Sequence, residues 1–220
     1  TNGEFIDEEP EQGSVAVLLL DMNKDYFGLY FEAFDGDNYR ETAGKLARQA
    51  TGVFPKVGFL LGISGAATDG EEVLQGLQEE AGEEINAFGG GAADDYNFKQ
   101  TFVFSNDFDH DQGIVLLAID ETKVRIKGIA TCGWKAVGTE KTVTKSEGNH
   151  VYTIDDIPAL DITAKYGGIE NPNPDNENLM VEIASNFPLQ LQRDKGDPVM
   201  RPGLVIDWND RSFFTSGSVP

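Results

Sequence analysis

Cysteine, histidine and basic residues are what this chain has least of. There is one cysteine, Cys132, in 220 residues, so no internal disulfide can form and cysteine usage gives no sign of secretion. The two histidines, His110 and His150, form no His-x-x-x-His pair, and no zinc or di-iron site is expected. Lys and Arg together number 17 against 38 Asp and Glu, a formal net charge of -21 with a pI near 4.2. Such a field repels polyphosphate backbones and anionic lipid, so neither nucleic acid nor a membrane surface is an expected partner. No apolar stretch approaches the ~18 residues of a membrane span. The opening "TNGEFIDEEPEQGS" is polar and acidic, unlike a signal peptide. The expected localisation is cytoplasmic.

What is present is ordinary for a folded domain: 40% hydrophobic and 25% charged residues, enough for one well-buried core and room for a second. "SVAVLLLDM" (14–22) is a continuous apolar run that predicts a strand covered on both faces. Alternation in "YFGLYFEAF" (26–34) predicts another, and "KVGFLLGIS" (56–64) a third. Helices are predicted over 38–51 and 69–81. Asn38 or Asp37 caps the first and Thr68 or Asp69 the second, with Gly52 and Gly82 at their C-terminal ends. From Ile85 the pattern changes to strand after strand: "INAF", "QTFVFS", "GIVLLAI", "KVRIKGIATCGW" and "KTVTKS", separated by short polar turns. A third helix is predicted over 158–166, with Pro158 in its first turn. "IENPNPDNEN" (169–178) reads as a linker, followed by a short helix "NLMVEIASN" and strands in "GLVIDWND" and "RSFFTSGS". The expected fold class is α+β, a layered α/β sandwich. Parallel-type strands occupy its first half and an antiparallel meander its second.

Three glycines followed by two acids, "GGGAADD" (89–95), pose the main chemical question. A phosphate-binding loop needs a Lys followed by Ser or Thr, and none comes before Lys99. Two carboxylates would also repel the phosphate that backbone amides attract. Small residues at a strand end instead leave room for a ligand near the backbone. Asp94 or Asp95, with Trp134 in "CGWKAVG", would suit a small ligand bearing an amino group. The alternative is that the two aspartates form a turn and Trp134 packs in the core. By the first reading, Gly90 cannot accept a large side chain.

Other chemistries have thinner support. "DFDHDQG" (107–113) spaces its acids like a calcium loop, but its glycine comes one residue late and Ala118 stands where the closing Glu belongs. It reads as a hairpin turn. The alternative enzyme, an amide or ester hydrolase, would use Cys132 or Thr131 as nucleophile, yet a lone cysteine in "IATCGW" is better read as a small core hydrophobe. Both histidines sit in polar surroundings and are expected to be solvent-exposed. No catalytic residue is assigned.

Several segments, in order, resemble the FIST sensory domain (F-box and intracellular signal transduction proteins). "TNGEF", "DGEEVLQGL", "FGGGAADDYNFKQTFVFSND" and "GWKAVGTEKTVTKSEGNHVYTIDDIPAL" follow that family's pattern from Thr1 to about Leu160. Two departures stand out: Ala136 replaces a proline after "GW", and Ile154–Asp155–Asp156 replaces "LDG", removing the glycine of a tight turn. The resemblance implies a FIST-like amino-terminal sensory domain over 1–170, incomplete at its start. It also implies a linker and the beginning of the carboxyl-terminal FIST region over 171–220. It implies a non-catalytic input domain of a signal transduction protein, binding a small molecule such as an amino acid and acting on a partner such as a kinase or cyclase. The implied ligand contacts are Gly89, Gly90, Gly91, Asp94, Asp95, Phe98 and Trp134. No cofactor is assigned, although a haem-associated branch of the family makes His150 an alternative haem ligand in a gas sensor.

Overall fold

The computed structural model describes residues 4–6, 9–11, 13–64, 68–82, 84–94, 99–129, 133–176, 178–193 and 198–219. The chain divides into two compact units, Thr1–Ala130 and Thr131–Pro220. In chain order the first holds β1 (Glu4–Ile6), β2 (Glu9–Glu11), β3 (Phe27–Ala33), α1 (Tyr39–Thr51), β4 (Val57–Ile63), α2 (Gly70–Ala81), β5 (Asn86–Gly91), β6 (Val103–Ser105), β7 (Phe108–His110) and β8 (Gly113–Asp120). The second holds β9 (Val143–Glu147), β10 (His150–Ile154), β11 (Ile157–Pro158), α3 (Ala159–Gly167), α4 (Leu179–Asn186), β12 (Leu189–Leu191), β13 (Val199–Arg201), β14 (Gly203–Asp207) and β15 (Ser212–Thr215). The class is α+β, as expected, and the three predicted helices lie within one residue of their predicted ends.

The main sheet of the first unit runs β3-β8-β4-β5. Only β4 and β5 are parallel, joined through α2; β8 pairs antiparallel with both β3 and β4. The expected parallel arrangement of the first half is thus reduced to one pair, because β8 returns between β3 and β4. Both caps of α2 follow from its sequence. Asp69 accepts from the backbone N–H of Glu71 and Glu72, and the Gly82 N–H closes the last turn on Gln78 O. The two helices approach through Gly76, where a Cβ would lie 2.2 Å from Arg40 O. Leu46, Phe59, Val73, Leu77, Ile114 and Leu116 are fully buried in the layer between helices and sheet, each contributing about 1.5–3 kcal/mol by burial.

Two expected strands are absent among the described residues. Val15–Met22 pairs with no strand among the described residues, and the side chains of Val15–Leu20 are exposed. The strand bonded on both sides in this unit is β8, between β3 and β4. The "KVRIKG" stretch is not a strand either. Asp120 ends β8 by accepting from Thr122 N and Oγ1, and its carbonyl accepts from Lys123 and Val124. The chain then turns so that Ile126 lies over Gly58 and Gly128 against the Phe88 ring. The segment covers the sheet instead of extending it.

In the second unit β10 is central, pairing antiparallel with β9, β11 and β15, and β15 pairs with β14. Pro158 stands at the N-cap of α3, and Gly168 ends that helix in the left-handed conformation at φ 66°. Val151, Ile162 and Phe213 form one core cluster; Leu160, Leu179 and Ile183 form a second. The "LDG" departure does not abolish the turn. Asp155 and Asp156 adopt φ 49° and 61° between β10 and β11, a conformation that Asp tolerates better than most residues. Asp155 secures it by accepting from Thr142 N at 2.9 Å.

Candidate functional site

Gly89, Gly90 and Gly91 are the last three residues of β5, an edge strand, and all are exposed. Their environments differ sharply. A Cβ on Gly89 would sit 1.8 Å from Leu61 O, at φ 151°, so glycine there serves the close approach of β5 to β4. A Cβ on Gly90 would meet nothing within 4 Å. The expectation that Gly90 excludes a large side chain is therefore overturned: it faces open space, and Gly89 is the intolerant position. Asp94 Oδ2 accepts from Lys99 N at 2.8 Å. Asp95 and Phe98 lie outside the described residues, as do Thr131 and Cys132.

Trp134, the remaining expected contact, lines a cavity of about 670 Å³ formed wholly by residues of the second unit. This size falls within the range of small-molecule sites. Its apolar surface comes from Val143, Ile154, Ile162, Leu189, Leu191 and Met200, its aromatic surface from Trp134, Tyr166 and Phe187. The Trp134 indole is fixed by donating Nε1–H to Ser185 O at 2.9 Å. The lining carries Lys135, Glu140 and Lys141 as charged groups. Lys141 Nζ lies 2.9 Å from Asp155 Oδ2 and 5.9 Å from the centre of the Tyr166 ring. Hydrogen bonding to Asp155 raises the ammonium pKa above its ordinary value. The Asp155 carboxyl is held below the carboxylate range by the Thr142 N–H and then by Lys141. Thr163 also lines the cavity wall, but its buried Oγ1 has no hydrogen-bond partner among the described residues.

A second concavity, of about 770 Å³, lies on the first unit along α1 and α2. Its cations are matched by anions: Arg40 with Glu79, Arg48 with Glu80, Lys45 with Glu32. Hydrogen bonds from the two arginines lower the pKa of Glu79 and Glu80. This is a salt-bridged helix surface, lined mainly by charged residues and by no aromatic side chain among those described.

His150 is not solvent-exposed as expected; it is 9% accessible. The strand register pairs it with Phe214, and the rings of Tyr152 and Phe214 each pack 3.9 Å from its centre. Its Nε2 is 2.5 Å from Ser212 Oγ. A haem does not fit this residue, because aromatic rings pack close on the imidazole and Nε2 is held by a buried serine. The spacing Glu147-Gly148-Asn149-His150 does match Glu-x-x-His, but the two residues face each other across the β9–β10 hairpin, unlike a helical metal motif. His110 sits on β7, where Nδ1 accepts from Gln112 N at 3.0 Å. The Asp107–Gly113 stretch forms part of the β6–β7 hairpin and the turn into β8, as expected.

The FIST N domain family model matches residues 1–157. The chain belongs to that family, whose domains are sensory modules of signal transduction. The match takes in all of the first unit and the Trp134–Ile154 wall of the cavity. No curated protein and no solved structure matches the chain.

Proposed function

We propose that this FIST N domain protein is a non-catalytic input domain that binds a small amine-bearing metabolite, such as an amino acid, in the second-unit cavity. The resulting change would pass to a signalling partner such as a kinase or cyclase. The observation that carries the reading is the cavity itself, about 670 Å³ with Trp134, Tyr166 and Phe187 in its lining. Both charge signs are present for a zwitterion. Lys135 offers a partner for a carboxylate; Glu140 and the aromatic faces offer partners for an ammonium. The apolar wall accommodates a side chain. Asp94, by contrast, already accepts a backbone hydrogen bond, which makes the triglycine end of β5 the weaker place for the same ligand.

A thermal-shift screen of the common amino acids tests the reading. A true ligand at 100 times its dissociation constant stabilises the fold by about 2.7 kcal/mol. Trp134→Ala and Tyr166→Ala should each abolish the shift, and Asp94→Asn should leave it intact. Loss of the shift in Asp94→Asn alone would move the site to the triglycine end of β5. No shift with any amino acid or amine would sink the ligand class.

A further inference from the structure

We propose that His150, Asp207 and Asp210 form a binding site for a divalent first-row transition-metal ion. One ring nitrogen of His150 and one carboxylate oxygen from each aspartate lie within 4.8 Å of one another. Strand pairing brings them together. His150 begins β10, which pairs with β15; Asp207 ends β14, and Asp210 lies in the turn that leads into β15. The nitrogen on that side is Nε2, linked through Ser212 Oγ, which lies 2.5 Å from both Nε2 and Asp210 Oδ1.

Both carboxylates retain ligand capacity. Asp207 accepts from Asn209 N and Nδ2, and Asp210 from Ser212 N and Oγ, in every case through Oδ1. The second oxygen of each has no hydrogen bond among the described residues. The adjacent cation, Arg211, is paired with Asp161 at 2.5 Å. Two neighbouring carboxylates are thus left to repel each other in a chain of net charge -21, and an ion between them removes that repulsion. Ligand atoms around a tetrahedral zinc are about 3.4 Å apart for bonds near 2.1 Å. The half-buried Asp207 and exposed Asp210 can close the remaining distance by side-chain rotation. An ion taking the Nε2 lone pair shifts the ring proton to Nδ1, and Ser212 then donates to Asp210 alone.

One imidazole with two carboxylates selects Zn²⁺, Co²⁺ or Mn²⁺ over Mg²⁺ and Ca²⁺, which prefer oxygen alone. A small ion needs only the in-plane lone pair, so the ring packing that excludes haem does not exclude it. It does require the Ser212 hydroxyl, now 2.5 Å from Nε2, to rotate away and keep its bond to Asp210 alone. Bound there, the ion would tie β10 to the β14–β15 turn.

Isothermal titration of the chelator-treated full chain with ZnCl₂, and visible absorption on adding CoCl₂, test the site. The expected result is one ion per chain and cobalt bands of a nitrogen–oxygen site. His150→Gln, Asp207→Asn and Asp210→Asn should each weaken Zn²⁺ binding at least tenfold, and His110→Gln should not. Asp210 is exposed, so its variant should fold even if the buried histidine cannot be replaced. Absence of Zn²⁺ binding up to millimolar metal would overturn the proposal. So would binding that survives Asp207→Asn and Asp210→Asn, or cobalt bands of thiolate charge transfer, which would place the ion on Cys132.

Discussion

Val15–Leu20 and Ile114–Ile119 are two apolar runs of similar length and composition, and both predict a buried strand. Ile114–Ile119 lies in β8, bonded on both sides, with Leu116 at 0% exposure; Leu19 in the other run is 87% exposed. An apolar run supplies affinity for a covered face, but a strand also needs neighbours for its N–H and C=O groups. β8 has two such neighbours. The earlier run has none among the described residues, and its composition alone does not bury it.

The widest separation should come from truncating one leucine in each run. Leu116→Ala is expected to cost about 2–5 kcal/mol, as for other buried leucines, and Leu18→Ala to stay within about 0.5 kcal/mol. Chemical denaturation measures both. Equal losses would mean that Val15–Leu20 is buried in solution and would break the comparison.

The same contrast exists between neighbouring glycines of one edge strand. Gly89→Ala places a methyl against Leu61 O at positive φ and should cost on the order of 1–3 kcal/mol. Gly90→Ala meets nothing within 4 Å, and by restricting the unfolded chain it should stabilise by about 0.4–1 kcal/mol. Opposite signs in the two unfolding curves would sharpen the point that partners, not residue type, set the energy. A loss at Gly90 would return that residue to the ligand-site reading.

Thr163 extends the argument to a polar atom. Its hydroxyl is buried without a partner among the described residues, so Thr163→Val keeps the shape and removes the desolvated group. A gain of about 1 kcal/mol is expected. A loss measured by thermal melting would reveal that the hydroxyl has a partner, such as an ordered water.

The smallest effect concerns Asp155, whose folded pKa is depressed by the Thr142 N–H and then by Lys141. A carboxyl depressed on folding stabilises above its unfolded value, near ~4, and that contribution is lost as pH falls through the lower folded value. Asp155→Asn keeps the left-handed turn while removing the charge. The wild type should therefore be modestly more stable at pH 7, the gap closing as the pH falls below about 4. A gap constant from pH 7 to pH 3 would show that the turn, and not the charge, carries the stability.

Much of the fold was legible because its causes are local. The helix over 70–81 follows from the Asp69 cap, the apolar spacing of Val73 and Leu77, and Gly82. The turn at Asp155–Asp156 misled because the missing glycine suggested a lost turn, whereas two aspartates adopt positive φ instead. For the candidate site, Trp134 was found as an aromatic among small residues. Tyr166 and Phe187 were not, because they reach the same cavity from α3 and the segment after α4. The grouping of His150 with Asp207 and Asp210 gave no sequence signal either. The three are joined by hydrogen bonding between β10 and β15, not by spacing.

By itself the sequence determined the helices, the caps of α2, the acidic field and the family, since propensity, capping and net charge act over a few residues or sum over all of them. Only the tertiary structure decided which apolar run became the central strand, that Gly89 rather than Gly90 must lack a side chain, and which distant residues line the cavity. Those outcomes depend on which backbone groups and side chains meet across the sheets, and strand order and register are fixed only when competing partners are compared in the folded chain.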